Sequence, residues 1–177
     1  MRTNIVLTLT GKDRVGIVEQ VTQILLDLGG NVEASQMARL GGEFAILILV
    51  SLPSEKSASL EDDVRLLMAH GYKVTATQTE LTPPQAHPGW RPYRIQVHGA
   101  DHEGIIHEIA HSLSQRGINI ETLETGTHRA PISGSPLFTM SARVVVPPNL
   151  SEGWQADLVN AGRHLNVEVV ITAVESE

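Results

Sequence analysis

The sequence has no cysteine among its 177 residues, which excludes a disulfide framework, a thiolate zinc site and a cysteine nucleophile. Aromatic residues make up only 3%, too few for the stacking platforms on which proteins hold single-stranded nucleic acid. Positive charge is scarce as well. Thirteen Lys and Arg stand against twenty Asp and Glu, a net charge of −7. The deficit is shared, with seven basic and ten acidic residues up to Pro88 and six and ten after it. Neither half offers the basic face that phosphate binding needs, so no direct nucleic-acid contact is expected. Long apolar runs are also missing: nothing approaches the ~20 residues of a membrane span. The first run, Ile5 to Leu9, already contains Thr8 and falls short of the ~7–15 apolar residues of a signal peptide. A cytoplasmic protein with no membrane partner is expected. What is present suffices for a core: 41% apolar and 19% charged residues exclude disordered and fibrous classes, and the length allows one ordinary domain or two small ones.

The chain is written twice. An offset of 88 residues lays Gly11-Lys-Asp-Arg-Val-Gly-Ile17 over Gly99-Ala-Asp-His-Glu-Gly-Ile105, and Leu25, Gly29, Asn31 and Glu33 over Leu113, Gly117, Asn119 and Glu121. That gives eight identities across the 23 positions from 11 to 33, where unrelated segments would share about one or two. Further on, an offset of 94 pairs Phe44 with Phe138 and Pro53 with Pro147, so the second copy carries 94 − 88 = 6 extra residues between 121 and 138. Their composition around Arg129-Ala-Pro-Ile-Ser-Gly-Ser-Pro136 is that of a loop. Between the copies, Thr82 to Pro92 holds four of the nine prolines and reads as an extended, fairly stiff linker. The expected organisation is a first domain over 1–82, a linker over 83–92 and a second domain over 93–177.

Within a copy the periodicities are legible. Ile5 to Leu9 is a nearly continuous apolar run, as for a central strand. Val15 to Leu28 sets Ile17, Val18, Val21, Ile24, Leu25 and Leu28 on one helical stripe, which Gly29-Gly30 terminates. Val32 to Ala38 alternates like a half-exposed strand, Leu40-Gly-Gly42 makes a hairpin turn, and Phe44 to Val50 is a second strongly apolar strand. Leu60, Val64, Leu67 and Met68 mark a second helix, followed by a polar-alternating strand from Tyr72 to Leu81. The second copy repeats the plan, with strands at 93–97, 118–127, 137–146 and 166–174 and helices at 103–116 and 151–165. This is an α+β chain of two ferredoxin-like βαββαβ units, each a four-stranded antiparallel sheet with two helices on one face. The first and third strands are the most apolar, which suits the order 4-1-3-2 that places them in the middle.

A βαββαβ unit whose first turn reads Asp-x-x-Gly-Ile/Val, with Gly-x-Asn-Ile/Val ending its first helix, resembles the ACT domain, a family of small regulatory modules of amino-acid-pathway enzymes. The resemblance covers both copies and leaves no catalytic domain. It implies domains that pair through sheet edges and helices, as a homodimer or within the chain, and a small amino acid, glycine or similar, bound by the turn after the first strand and the start of the second. Carried onto this sequence, it implicates Asp13, Arg14, Val15, Gly16, Ile17 and Asn31, and Asp101, His102, Glu103, Gly104, Ile105 and Asn119. It implies no cofactor and no resident metal. A tandem without a catalytic domain implies a regulator acting on a partner protein, in transcriptional control or repression of amino-acid metabolism.

Elementary chemistry is compatible with such a site. A helix start offers free N–H groups and a positive dipole end to a carboxylate. Gly16 either admits a ligand to the backbone or lets the helix pack closely on the sheet. Asp13 either faces an ammonium group or caps the helix. Asn31 and Asn119 supply either a ligand amide or a turn.

Two rivals remain, a ligand-free interaction scaffold of the same fold and a zinc hydrolase. The second rests on His107-Glu-Ile-Ala-His111, an H-E-x-x-H match that would set two imidazoles on zinc with Glu108 as general base. The apolar stripe Ile105, Ile106, Ile109 and Leu113 turns those three residues away from the core, and their counterparts in the first copy are Glu19, Gln20 and Gln23. No third ligand is obvious. The frame Gly11 to Gly16 carries Ile17 where a phosphate-binding loop needs lysine, and neither G-x-G-x-x-G nor G-x-S-x-G occurs in context. The expectation is therefore a protein without catalytic residues.

Overall fold

β1 (Arg2–Lys12) and β3 (Glu43–Pro53) alternate buried and less buried residues because only one face of their sheet is covered. Ile5, Leu7 and Leu9 of β1 and Phe44, Ile46, Ile48, Val50 and Leu52 of β3 are buried in a single cluster. Ile17, Val21 and Leu25 of α1 (Ile17–Asp27) and Leu60, Val64 and Leu67 of α2 (Ser57–Ala69) close it from above. Each fully buried Leu or Ile contributes roughly 1.5–3 kcal/mol, so this face holds the domain together. β2 (Asn31–Leu40) and β4 (Lys73–Thr79) flank the pair, giving the antiparallel order β2-β3-β1-β4.

The computed structural model describes residues 1–80, 89–151 and 153–174. It divides into two units, Met1–Thr82 and Pro83–Glu177. The second repeats the plan: β5 (Arg91–Ala100), α3 (Ile105–Ser114), β6 (Asn119–Arg129), β7 (Pro136–Val146), α4 (Gly153–His164) and β8 (Val167–Ala173), in the order β6-β7-β5-β8. Its core gathers Ile95, Val97, Ile109, Leu113, Met140, Val144, Trp154 and Leu158, with the Trp154 ring edge-on to Tyr93. The extra residues of the second copy lengthen the β6–β7 hairpin, whose loop takes up 130–135. Among the described residues no helix is long and apolar enough to cross a membrane.

Several details depart from the periodicity. α1 begins at Ile17 rather than Val15, and α3 at Ile105 rather than Glu103. β2 is exposed along its whole length, not half-buried, because the helices sit over the central strands and leave this outer one uncovered. Met68 is 51% exposed and Ile106 40%, so each lies at the margin of its stripe. β5 starts at Arg91, so Arg91 and Pro92 belong to the second sheet and not to the linker. Of the rest of the segment assigned to the linker, 83–88 lies outside the described residues.

The glutamates that recur in the repeat, Glu33 and Glu121, each occupy a bulge. The register of β2 against β3 shifts between Val32 and Ala34, and that of β6 against β7 between Ile120 and Thr122. A bulge bends the strand and interrupts an otherwise free edge.

Gly30 marks where α1 gives way to β2. A Cβ there would lie 2.6 Å from Leu52 Cδ2 and 2.7 Å from the Leu25 carbonyl oxygen, which itself accepts the Gly30 N–H at 2.7 Å. Gly30→Ala should therefore cost about 1–3 kcal/mol through overpacking. At ~2–4 °C per kcal/mol for a chain of this size, the melting temperature should fall by roughly 2–12 °C. Leu26→Ala, at an exposed position, should change stability by no more than about 0.5 kcal/mol. Equal melting of the two variants in calorimetry would contradict this packing.

Candidate functional site

Between the end of β1 at Lys12 and the start of α1 at Ile17 the chain reverses in four residues. Gly16 makes this possible: it precedes the helix with φ +87°, as Gly104 does in the second domain with φ +92°. A residue with a side chain pays about 1–2 kcal/mol for that left-handed conformation, so the recurrence of glycine has a backbone cause. A Cβ at either position would meet nothing within 4 Å, and close packing of helix on sheet is therefore not the reason for the glycine.

No side chain caps either helix, which settles the role of Asp13 against an N-cap. Its carboxylate instead takes Arg39 at 3.2 Å, and its N–H donates to the Gly42 carbonyl at 3.1 Å. The Asp101 N–H donates likewise to Pro136 at 3.1 Å, so each turn is pinned to the neighbouring hairpin. The first-turn N–H groups, which no helix satisfies internally, carry the positive end of the dipole outward.

The first-turn residues line a hollow in both domains. Asp13, Arg14, Gly16 and Ile17 line a cavity of about 530 Å³ with Val18, Glu19, Thr22 and Phe44. Asp101, His102, Gly104 and Ile105 line one of about 450 Å³ with Ile106, His107 and Phe138. Both volumes fall in the range of ~300–1,000 Å³ usual for small-ligand sites. Sequence reasoning missed Phe44 and Phe138 here, although the repeat alignment pairs them. Val15 is fully exposed, and neither it nor Glu103 lines a hollow.

Asn31 and Asn119 are not brought to the turns. Asn31 pairs with Ser51 at one end of β3, whereas Phe44 pairs with Gly11 at the other. Seven residues of strand at about 3.4 Å each separate them, because α1 runs the length of the sheet before β2 begins. The Asn31 amide donates to the Glu33 carboxylate at 2.8 Å. Asn119 pairs with Val145, and Phe138 with Gly99, so the second domain repeats the separation.

The two hollows differ at their second turn residue. Arg14 lies over the Tyr72 ring, 5.5 Å from its centroid, and donates to the Gln20 side chain. Tyr72 in turn donates to the Lys12 carbonyl at 2.9 Å. His102 makes the corresponding reach with hydrogen bonds: Nε2 lies 2.6 Å from the Leu165 carbonyl and Nδ1 2.9 Å from that of Glu103. Only the imidazolium can donate to both. Its pKa is raised, chiefly by the Leu165 carbonyl, then by that of Glu103, with desolvation opposing and the Asp101 charge adding a smaller upward push.

The rings of His107 and His111 are nearly parallel with centroids 6.0 Å apart, both exposed on α3. Among the described residues no group of three or more His, Cys, Asp or Glu is placed to hold a metal.

The ACT domain model matches residues 3–75. The glycine cleavage system transcriptional repressors of Escherichia coli K12 and Shigella flexneri are each 29% identical over 129 residues, covering 71% of this chain and 66% of theirs. The aligned part thus spans just under two thirds of those relatives. A crystal structure of a protein of unknown function from Galdieria sulphuraria matches 99% of this chain and 100% of its own with TM-score 0.88 and 31% identity. A presumed glycine cleavage system transcriptional repressor matches 99% of each chain at TM-score 0.71 and 22% identity, a likeness of fold.

Two outcomes follow from the geometry. Because the folded-state pKa of His102 is raised, its contribution is complete below the unfolded value near 6.5 and is lost as pH climbs through the folded one. In NMR titration the His102 ring should have its midpoint above 6.5, and His102→Ala should lower the melting temperature more at pH 5.5 than at pH 8.5. A midpoint at or below the unfolded value would refute the double hydrogen bond. Protein purified without an affinity tag should contain only substoichiometric zinc by elemental analysis. One zinc per chain that His111→Ala removes would overturn the two-ligand reading of α3.

Proposed function

We propose that the chain, whose first domain matches the ACT domain model and whose second repeats its plan, is a non-enzymatic tandem regulator that senses a small amino acid and passes the signal to a partner protein. Glycine, serine or a similarly small amino acid fits the reading. The observation that carries it is the same hollow in both domains, lined by the same turn residues and by Phe44 in one copy and Phe138 in the other. A carboxylate set against the uncapped helix start meets free N–H groups and the helix dipole, and Asp13 or Asp101 stands beside it for an ammonium group. Kinship with proteins named as glycine cleavage system transcriptional repressors supports a role in transcriptional control, repression included. A net charge of −7 favours acting through a protein partner over direct contact with DNA, and a cytoplasmic location follows from that role. A mobility shift of duplex DNA by the purified chain would remove this part of the reading.

Binding is tested by thermal unfolding with each of the common amino acids. At a hundred times its dissociation constant a ligand adds ~2.7 kcal/mol at one site. With ~2–4 °C per kcal/mol the expected rise is roughly 5–10 °C if both domains melt together. The positive φ of Gly16 makes Gly16→Val a strained choice, so Gly16→Ala is the variant to use. It should cost about 1–2 kcal/mol and place a methyl group in the hollow, removing the part of the shift due to the first site. Gly104→Ala should do the same for the second. If no amino acid at millimolar concentration moves the transition, sensing fails and the ligand-free scaffold replaces it.

A further inference from the structure

At one end of the uncovered face of the first sheet lies a cavity of about 500 Å³, within the ~300–1,000 Å³ usual for small ligands. Its floor is a row of small side chains: Thr10 of β1 stands opposite Ala45 of β3, and Ala45 opposite Ala38 of β2. Because alternate residues of a strand project to the same face, one row of small residues leaves a trough across the strands. Lys73 of β4, opposite Thr10, closes one end of it. The next row, Lys12, Glu43 and Leu40, forms the outer wall, where Leu40 is 76% exposed. The other charges of this face are distant. Arg2 stands opposite Pro53 at the far end of β1, held by Ser51 and the Gly29 carbonyl, and Glu80 follows the far end of β4. Arg39, opposite the buried Phe44, belongs to the covered side and pairs with Asp13. Among the described residues Lys12, Glu43 and Lys73 enter no ion pair.

We propose that this trough binds a short aliphatic monocarboxylate, its carboxylate held by Lys12 and Lys73 and its hydrocarbon laid over Ala45 and Ala38 against Leu40. The two lysines are diagonal neighbours on β1 and β4, about 7–8 Å apart, so both ammonium groups reach one carboxylate set between them. Such charge-assisted hydrogen bonds are the strong ones, and the Thr10 hydroxyl adds a third donor. The alanine floor and Leu40 give a polar tail no partner, whereas an apolar tail covers exposed hydrocarbon. Glu43 sets the limit on charge: a second carboxylate on the ligand would meet it as a like charge. An α-ammonium group would enter between the two lysines, so the simple acid is preferred to the amino acid. The second sheet does not repeat the site. It has His98 facing Glu168 where the first has Thr10 facing Lys73, and its Arg94 and Arg143 face each other farther along the strands. This inference stands apart from amino-acid sensing, since no polar or charged group is shared between the trough and the hollow at the start of α1.

Titration of the ¹⁵N-labelled full chain with 3-methylbutanoate, followed by amide chemical shifts, tests it. Saturable shifts should appear at Thr10, Lys12, Ala45 and Lys73 and spare Gly16 and Ile17, with a dissociation constant on the order of 1 mM for a ligand of so few atoms. Lys73→Met should weaken binding about 5–20-fold. Ala45→Leu, at an exposed position, should fill the trough and weaken it about 10-fold or more; if one variant misfolds, the other decides. Acetate, which lacks most of the hydrocarbon, should bind about 5–10-fold more weakly, and butanedioate and leucine at least about 5-fold more weakly. Acetate binding as well as 3-methylbutanoate would show an adventitious anion only and overturn the proposal. Butanedioate or leucine binding as tightly overturns the ligand class. Absence of shifts at the trough, shifts centred on Gly16, or binding that survives both variants overturns the site, and none of these results bears on whether amino acids occupy the helix-start hollows.

Discussion

Each sheet is covered on one face only, and the rest of the architecture depends on that one-sidedness. Helices on one side of a four-stranded sheet bury every second residue of the two central strands, which is why β1 and β3 carry the densest apolar sequence in the first domain. It also leaves an outer strand and a whole face to water. The two copies dispose of that face differently: the second sheet has charged residues across it, while the first keeps its charges at the ends. A duplicated fold therefore presents two unlike surfaces although its cores are built alike.

The helix-start turn is the second constraint, subordinate to the first. A helix must leave the central strand and double back over the covered face within four residues, and a left-handed residue at the helix start accomplishes this. Gly16 and Gly104 supply it without strain. Glycine at the helix start has no side chain to cap it, and the first-turn residues Ile17 and Val18, and Ile105 and Ile106, line the hollows. The same geometric need thus shapes the turn and leaves a place suited to an anion.

Much of the fold could be read from spacing alone. The order of strands and helices follows from periods of about two and 3.6 residues, and the central positions of the first and third strands follow from their composition. What could not be read were features decided by the extent of cover, such as the full exposure of β2, which alternates in sequence but lies beyond the helices. At the site, sequence identified the turns, and the repetition of Gly16 and Gly104 pointed to a common requirement without revealing that it was a positive φ. The roles of Asp13 and Asn31 were not legible. One depended on which hairpin the turn touches, and the other on α1 spanning the sheet and carrying Asn31 to its far end. Glu33 and Glu121 each fall in a bulge that no local pattern announces.

The two turns also show what duplication permits once the backbone is fixed. Both copies tie the turn to the corner between the second helix and the last strand, but Arg14 does so by lying over an aromatic ring and His102 by donating to a carbonyl. An arginine keeps its charge at every physiological pH, whereas an imidazole holds both of its carbonyl partners only while protonated. The second tie therefore loosens with rising pH while the first does not. Since the tie borders the hollow in each domain, two cavities of like shape come to differ in how firmly one wall is held. Divergence at a single position, with the glycine and the aspartate retained, is sufficient to make the paired sites chemically distinct while leaving the fold that carries them unchanged.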